Sequence, residues 1–241
     1  MERHILDDIP FEAGIEAVAR RVRVELSGPL GDELVLYVGQ AQAVARPKAM
    51  YRVGYVEERG EDWVRIGGQR FTSRVLAVNL EPVHRVFVYV ATCGMELQEW
   101  AQARSDPLEQ YWSNVVQEMA LRSASRALNA HLEGLYDPGR TSAMAPGSLG
   151  EWPLSEQRPL FAFLGDTVQA IGVRLSESLL MVPTKSVSGI RFATEERFES
   201  CQLCPREDCP GRRAPYDAEL YARKYEAAPE GGRGPELKAP S

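Results

Sequence analysis

The stretch "VHRVFVYVATCG", residues 83–94, is an almost continuous apolar run that is rich in β-branched and aromatic residues. Such a run is typical of a strand that is buried on both faces at the centre of a sheet. It ends at Cys93-Gly94. The sequence therefore predicts a buried central strand, and the remaining segments are interpreted around it.

The chain before this strand changes from helical to alternating periodicity. Helices are predicted over residues 10–25, with Pro10 in the first turn, and over residues 32–45. Residues 49–58 alternate apolar and polar side chains, and residues 62–73 do so around Gly67-Gly68, which is a hairpin signal. This part of the chain is expected to supply helices and an antiparallel part of the sheet.

The chain after the central strand is mostly helical. Asp106-Pro107 offers a capping side chain and a first-turn proline for a long helix that runs to about residue 133. Further helices are predicted at 95–104, 154–166, 166–173 and 215–225, strands at 178–183 and 186–194, and a loop at 137–153. This order predicts an α+β single domain with a mainly antiparallel sheet flanked by helices.

Within that single domain we expect three parts. Residues 1–92 form an N-terminal lobe of helices and strands, and residues 93–226 form the core that carries the cysteine cluster. Residues 227–241 lack an apolar anchor and are expected to form a disordered tail.

Charge and hydropathy exclude several classes of function. The net charge is −6 and no Lys/Arg-rich run is present, so no nucleic-acid partner is expected. No run approaches 18 apolar residues, so no membrane partner is expected either. The first thirty residues are charged throughout and do not resemble a secretion signal. These features predict a cytoplasmic protein, in which cysteines stay reduced.

Common catalytic and nucleotide-binding motifs are missing from the sequence. There is no G-x-x-x-x-G-K-[ST] phosphate loop and no G-x-G-x-x-G dinucleotide motif. The histidines, His4, His84 and His131, do not form a metal-ligand pair. No catalytic residue is therefore assigned.

The strongest local signal is "ESCQLCPREDCPG", residues 199–211, where Cys201, Cys204 and Cys209 follow a C-x2-C-x4-C spacing. Thiolates are ligands of soft metals, and two residues between cysteines let a short loop turn both sulfurs inward. The spacing leaves three alternatives open: an iron–sulfur cluster, a structural zinc ion, or thiols without a metal. Cys93, at the predicted end of the central strand, is the candidate fourth ligand.

Two further blocks suggest contact with a ligand. Pro146-Gly147 and Gly150 allow backbone amides to approach a ligand closely, although a surface turn packed under Trp152 is the alternative. A second block combines small hydroxyls with a glycine, which suits a large flat ligand or, equally, the backbone of a sheet edge. Its residues are Ser176, Ser178, Ser186, Ser188 and Gly189.

Together these two blocks resemble the activation domain of cobalamin-dependent methionine synthase. The matching residues are Ala145-Pro146-Gly147, Leu175-Ser176-Glu177-Ser178, Met181, Pro183 and Ser186-Val187-Ser188-Gly189. The resemblance covers roughly residues 107–195. The chain resembles a stand-alone form of that domain, with a C-terminal cysteine cluster added.

The resemblance implies a C-shaped domain with a twisted antiparallel sheet that docks over a corrinoid. Such a domain presents S-adenosylmethionine when cobalt has fallen to the inactive Co(II) state, and a flavodoxin-like donor supplies one electron. The chain lacks the D-x-H-x-x-G motif by which corrinoid carriers ligate cobalt. The cobalamin is therefore expected on a partner protein.

The chain departs from the family's pattern at three positions. Ala143 stands where the family has arginine, and Ser148 and Arg191 stand where it has tyrosines. The resemblance implies that these positions take part in recognising S-adenosylmethionine.

Our first hypothesis is that the chain is an accessory protein for the reductive reactivation of cobalamin. It would then belong to the methyltransferase class as a component of methionine synthase. Its partners would be a corrinoid-binding methionine synthase or methyltransferase and a reductant such as flavodoxin or ferredoxin. An iron–sulfur cluster on the four cysteines would deliver the electron. Glu177 would accept a hydrogen bond from a corrin amide. The residues expected to face the corrin are Pro146, Gly147, Ser186, Ser188 and Gly189.

Two other hypotheses remain at this stage. The chain is a non-catalytic module that caps a corrinoid protein and is held together by zinc, or it is one part of a split methionine synthase. The sequence shows no folate or homocysteine site of its own, so the last role requires other subunits.

Overall fold

The computed structural model describes residues 2–196, 198–209 and 211–226. The tail predicted for residues 227–241 lies outside these residues. In chain order the elements are β1 (Arg3–Leu6), α1 (Ile15–Val22), α2 (Pro29–Val44), β2 (Lys48–Arg59), β3 (Trp63–Ile66), β4 (Gln69–Thr72), α3 (Arg74–Asn79), β5 (Arg85–Thr92), α4 (Met95–Gln102), α5 (Pro107–Tyr136), β6 (Thr141–Met144), α6 (Gln157–Leu164), α7 (Thr167–Ile171), β7 (Arg174–Leu175), β8 (Met181–Val182), β9 (Ser186–Ala193) and α8 (Leu220–Lys224). Short 3₁₀-helices cover Leu154–Glu156 and Ser200–Leu203.

The main sheet has seven strands in the order β4-β3-β2-β5-β9-β6, with β1 added beside β2. All of its neighbouring strands are antiparallel. Strand β5 pairs with β2 on one side and β9 on the other, and it is buried from Val86 to Thr92. The predicted α+β class, the antiparallel sheet and the central strand are confirmed.

The sheet joins the parts of the chain on either side of residue 92. Strand β2 pairs with β5 from Lys48–Thr92 to Tyr55–Arg85. Strands from both parts therefore share one ladder of backbone hydrogen bonds. The division between residues 92 and 93 remains a prediction.

Side chains alternate between the two faces of the sheet, and each face has its own core. Even-numbered residues of β5, such as Val88, pack with residues from α3 and α6. Odd-numbered residues, such as Phe87, pack with residues of α5. A third core joins α1, α2, α4 and the first half of α5 around Trp112. Burial of each large aliphatic or aromatic side chain stabilises such cores by about 1.5–3 kcal/mol.

The local signals at several helix and turn boundaries are confirmed. The Asp106 carboxylate accepts hydrogen bonds from the N–H groups of Leu108 and Glu109, which caps α5. Gly67 and Gly68 both have positive φ at the β3–β4 turn. Within the described part of the chain, no helix combines the length and the apolar character that crossing a bilayer requires.

Three local predictions are wrong. The first helix begins at Ile15, after Gly14 at its N-cap position, rather than near Pro10. The predicted loop 137–153 contains β6, whose four residues are too few to show a clear period. The two predicted strands after residue 177 do not pair with each other, since β8 pairs with β7 and β9 joins the main sheet.

Candidate functional site

Strand β9 has one covered face and one partly open face. Its even-numbered residues Ser188, Ile190 and Phe192 are buried in the core beneath α6. Its odd-numbered residues point to the α5 side of the sheet, where α5 packs over β5 and β2. We define the β6–β9 face as the odd-numbered residues Thr141, Ala143, Val187, Gly189 and Arg191.

Tyr89 lies across the β6–β9 face from the neighbouring strand. A Cβ atom on Gly189 would lie 3.1 Å from the Tyr89 Oη atom and 2.4 Å from the Met144 carbonyl oxygen. Glycine is therefore needed here by the packing of the strands and of the tyrosine. Burial raises the pKa of Tyr89, while the positive charge of Arg191 opposes that rise.

The Arg191 guanidinium is the main charged group of this face. Its Nη1 atom donates to Thr141 Oγ1 at 2.9 Å, and its Cζ atom lies 5.9 Å from the centre of the Tyr89 ring. The Nε atom is buried and has no acceptor among the described residues. Ala143 is its direct partner on β6, so two positions that depart from the family pattern face each other across one strand pair.

An ion pair from another part of the chain borders Tyr89. Arg213 Nε lies 3.1 Å from a carboxylate oxygen of Glu199. Both charges reach the Tyr89 hydroxyl, since Arg213 acts to lower the pKa of Tyr89 and Glu199 acts to raise it. The β6–β9 face thus meets the chain segment that carries the cysteines.

The Pro-Gly turn follows β6 directly and is closed by its own hydrogen bonds. Pro146 is buried, and Gly147 is exposed with φ of 80°. The Gly147 N–H donates to the carbonyl oxygen of Trp152 at 2.7 Å, and Trp152 is fully buried. The motif thus forms a surface turn that is hydrogen-bonded to buried Trp152. The exposed Gly147 nevertheless presents its backbone to solvent.

The two serines of the second block that lie on β9, Ser186 and Ser188, are hydrogen-bonded within the protein. Ser188 is 1% exposed, and its hydroxyl donates to Gln157 Oε1 at 2.9 Å. The Ser186 hydroxyl donates to Thr92 Oγ1 at 2.8 Å. Gly147 and Ser188 both adjoin the segment from Leu154 to Gln157. In this conformation, however, Ser188 is covered by protein rather than presented to a ligand.

The remaining polar residues of that block lie on a separate hairpin. Ser176 Oγ and Ser178 Oγ are 2.9 Å apart in the turn between β7 and β8. Glu177 is exposed between them. The residues on this hairpin and those on β9 do not form one polar face, because β8 and β9 belong to different sheets.

The cysteine loop, residues 199–209 with 211–214, is organised around one guanidinium. Arg212 donates to the carbonyl oxygens of Cys201 at 3.1 Å, of Cys204 at 3.1 Å and of Ala214 at 3.2 Å, and it also donates to the carbonyl of Arg206. This bracing holds the backbone on both sides of the loop together.

The Cys201 thiol has the environment of a stabilised thiolate. The Arg213 N–H donates to Cys201 Sγ at 3.4 Å. Burial acts to raise the pKa of the Cys201 thiol, but the N–H groups of Arg213 and Ala214 and the charge of Arg213 lower it below its ordinary value. A thiolate is the form that binds metals and attacks electrophiles.

Cys93 lies in a different environment from the cysteine loop. It is fully buried in the core of α1, α2, α4 and α5, and burial raises the pKa of its thiol to about 12. No group of three or more His, Cys, Asp and Glu in the described residues is arranged to hold a metal ion. The structure therefore does not bring Cys93 and the loop cysteines together as one ligand set.

A cavity of about 840 Å³ opens where β5 begins and β9 ends. Its walls carry charges of both signs, including Arg85, Arg140, Glu195 and Lys224. None of the residues that the sequence assigned to a site lines this cavity.

Sequence reasoning missed the roles of Tyr89 and Arg213 at the β6–β9 face. Tyr89 was assigned only to the apolar central strand. The alternation of β9 would have placed Gly189 and Arg191 on one face and Ser188 on the other. The pairing with β6, which completes the face, had no signal in the sequence.

At the level of sequence, no protein-family model and no curated protein matches the chain. Among solved structures, the fold is similar to that in the "Crystal Structure of the MetH Reactivation Domain bound to AdoHcy". The TM-score is 0.56 at 14% identity, over 83% of this chain and 81% of that chain. At this identity the likeness concerns the fold, so the chain has a fold related to that of the MetH reactivation domain.

Proposed function

We propose that the protein takes part in the reductive reactivation of a corrinoid bound to another protein, a methionine synthase or a related corrinoid methyltransferase. The observation that carries this proposal is the fold shared with the MetH reactivation domain over 83% of the chain. The residue pattern from Pro146 to Gly189 supports the proposal independently, because that pattern is a property of the sequence and does not depend on the fold.

The chemistry divides between the partner's corrinoid and this chain. The Co(II) form accepts one electron from a reductant of the flavodoxin or ferredoxin class and then the methyl group of S-adenosylmethionine, which leaves S-adenosylhomocysteine. The irreversible methyl transfer draws the difficult reduction forward. This chain supplies position and electrostatics, and the cofactors supply the reactivity.

The exposure of the predicted contact residues divides their roles. Gly147 and Glu177 are exposed and remain candidates for direct contact with the corrin. Pro146, Ser188 and Gly189 are buried and would act by holding the surface in shape. We assign S-adenosylmethionine to the β6–β9 face, which carries Ala143, Gly189 and Arg191 beside Tyr89.

We further propose that Cys201, Cys204 and Cys209 hold a metal centre. The stabilised Cys201 thiolate fits a metal ligand, and N–H groups directed at sulfur are a common feature of iron–sulfur sites. Cys93 is left out of this set, because it is buried in the core of α1, α2, α4 and α5 and not in the cysteine loop. The three loop cysteines would have to move together on binding.

The reactivation proposal is tested by mixing the protein with corrinoid proteins in the Co(II) state and recording the cobalt absorption spectrum. With reductant and S-adenosylmethionine present, we expect conversion to the methylated form only when this protein is added. Omitting either reagent should prevent it. Absence of any effect on the cobalt spectrum across methionine synthases and related methyltransferases would refute the proposal.

The metal proposal is tested on protein purified without oxygen. Iron with sulfide and visible absorption indicates the cluster, and stoichiometric zinc indicates the alternative capping module. Cys201→Ser should lose the metal, while Cys93→Ser should keep it as the matched control. Wild-type protein with neither metal would rule out the site.

A further inference from the structure

A small pocket of about 200 Å³ opens between the end of the Pro-Gly turn, the 3₁₀-helix Ser200–Leu203 and the segment that leads into α8. We define the tyrosine pocket by six residues that line it: Leu149, Glu151, Leu203, Tyr216, Asp217 and Tyr221. It borders the cysteine loop through Leu203, but none of these residues is a cysteine or belongs to the β6–β9 face. The proposed function gives the pocket no role.

Backbone hydrogen bonds fix the walls of the tyrosine pocket. The Asp217 N–H donates to the carbonyl oxygen of Gln202 at 2.9 Å, which ties the segment before α8 to the 3₁₀-helix. The Asp217 Oδ1 atom accepts from the N–H groups of the second and third residues after it, each at 3.1 Å. On the opposite wall, the Trp152 N–H donates to the Leu149 carbonyl oxygen at 3.1 Å. The pocket is therefore formed by the protein alone.

The charge around the tyrosine pocket is negative. Asp217 is balanced by Arg223, whose Nη2 atom lies 3.0 Å from Asp217 Oδ2. Glu151 is exposed and, within the described part of the chain, forms no ion pair. The charged groups that act on the Tyr221 hydroxyl are Glu151, Arg74 and Glu226. They sum to one negative charge, which favours a singly charged cation as the ligand.

Tyr216 and Tyr221 add aromatic surface to this charge. Among the described residues, no lysine or arginine lies over either ring, whereas cations do lie over the rings of Trp63, Trp100 and Tyr225. A cation over the face of a tyrosine is attracted by the quadrupole of the ring. In the tyrosine pocket that interaction is left for a ligand.

The carboxylates of the pocket have few free acceptor positions. Both oxygens of Asp217 already accept hydrogen bonds, from backbone N–H groups and from Arg223. Burial is the main cause of the raised pKa of Tyr221, and the charge of Glu151 and the hydrogen bond that its carboxylate accepts from the hydroxyl add to it. A primary ammonium brings three N–H donors that need acceptors, and leaving them unpaired is costly. A fully methylated ammonium has no N–H donor and loses nothing here.

The size of the pocket agrees with such a group. A volume of 200 Å³ corresponds to about six or seven water molecules at roughly 30 Å³ each. It lies below the range of about 300–1,000 Å³ that is usual for drug-sized ligands. The pocket therefore suits a head group of a few heavy atoms rather than a whole nucleotide.

We propose that the tyrosine pocket binds a methylated ammonium head group, with its methyl groups against Tyr216 and Tyr221 and its charge balanced by Glu151. The inference does not depend on the proposed function, because it uses neither the corrinoid nor S-adenosylmethionine. A lysine side chain of another protein and an inorganic cation are the alternatives that the test separates.

The test uses choline as the probe. It is compared with 3,3-dimethylbutan-1-ol, which has the same shape without the charge, with N-acetyl-lysine amide, which presents a primary ammonium, and with potassium chloride. Binding is followed by proton–nitrogen correlation NMR of the wild-type protein at constant ionic strength. The amide signals of Gly150 and Ala218, which also line the pocket, report on its occupancy.

Four variants locate the binding. Glu151→Gln removes the charge and Tyr216→Leu removes one ring, whereas Tyr216→Phe keeps the ring and should bind as the wild type does. Tyr55→Leu is the matched control, since Tyr55 is exposed on β2 and does not line the pocket. Glu151 and Tyr216 are themselves exposed, so all four variants should keep the melting temperature of the wild type. Either of the first two variants carries the test if the other does not fold.

We expect choline to cause shifts that saturate at millimolar concentration, and the uncharged alcohol to cause none. Glu151→Gln and Tyr216→Leu should each weaken choline roughly threefold to thirtyfold, the range of a cation–π contact, and Tyr55→Leu should not weaken it. No saturable shift with choline, or equal binding of the uncharged alcohol, would overturn the inference. Equal or tighter binding of the lysine amide would reassign the pocket to a lysine side chain, and displacement of choline by potassium would reassign it to an inorganic cation; both results also overturn it.

Discussion

The two faces of β9 share one backbone but differ in their surroundings. On one face, Ser188, Ile190 and Phe192 are buried against α6. On the other, Gly189 and Arg191 adjoin Tyr89 on a partly open surface. The even-numbered residues belong to the core that includes α3, α6 and Trp152, whereas on the other face α5 packs mainly over β5 and β2.

This comparison separates structural from binding residues within one short motif. A run of small polar residues is interpreted most simply as a single binding surface, but a strand directs alternate residues to opposite faces. The hydroxyl of Ser188 therefore lies in the core, whereas Arg191 lies on the partly open face. Two substitutions on β9 test this division directly and two outside the strand extend it, in order of decreasing expected effect.

Gly189→Ala is expected to be the most damaging. Its Cβ would lie 2.4 Å from the Met144 carbonyl oxygen, which belongs to the backbone of a paired strand and cannot move aside alone. We expect a loss of about 3 kcal/mol or more in the free energy of unfolding, measured by denaturant titration. Gly134→Ala on α5, where a Cβ meets open space, is the control and should be neutral or stabilising. Comparable stability of the two variants would contradict the close packing inferred at β9.

Ser188→Ala tests the covered face. Removing the hydroxyl leaves Gln157 Oε1 buried without its donor, which costs about 1–3 kcal/mol in unfolding free energy. Because the residue faces the core, the affinity for S-adenosylhomocysteine should change little. A variant of unchanged stability with weakened ligand binding would show that Ser188 faces the ligand after all.

Cys93→Ala tests a fully buried position directly after β5, in the core of α1, α2, α4 and α5. The Cys93 pKa of about 12 is raised by burial, so the folded state keeps the proton that the unfolded state loses. The stabilisation is complete below the unfolded pKa of about 8.5 and is lost as pH rises toward the folded value. At about pH 9.5 wild-type protein should therefore have lost about 1.4 kcal/mol more than Cys93→Ala, relative to neutral pH. Parallel pH profiles from denaturant titration would show that Cys93 is accessible.

Glu177→Gln should have the smallest effect on stability. The residue is exposed on the β7–β8 hairpin, so the free energy of unfolding should change by less than about 0.5 kcal/mol. If the hairpin meets the corrin as proposed, docking to a Co(II) corrinoid protein should nevertheless weaken, as measured by the cobalt spectrum. Unchanged docking would restrict the contact surface to the region of Gly147.

Several parts of the fold were predictable because their signals are local. The apolar run from Val83 determined a central strand, Asp106-Pro107 determined the start of α5, and Gly67-Gly68 determined a hairpin. Each depends on residues adjacent in sequence, through burial, capping or positive φ. The candidate site was only partly predictable, because Tyr89, Ala143 and Arg191 meet through pairings between distant strands.

The sequence by itself determined the class of fold, the positions of the long elements and the presence of two motif blocks and a cysteine cluster. Only the tertiary structure decided that β6 pairs beside β9, that Ser188 lies beneath α6, and that Cys93 belongs to another core than Cys201. The physical reason is that backbone preference is set by neighbours along the chain. Which face of a strand stays open is set by what packs on it from elsewhere.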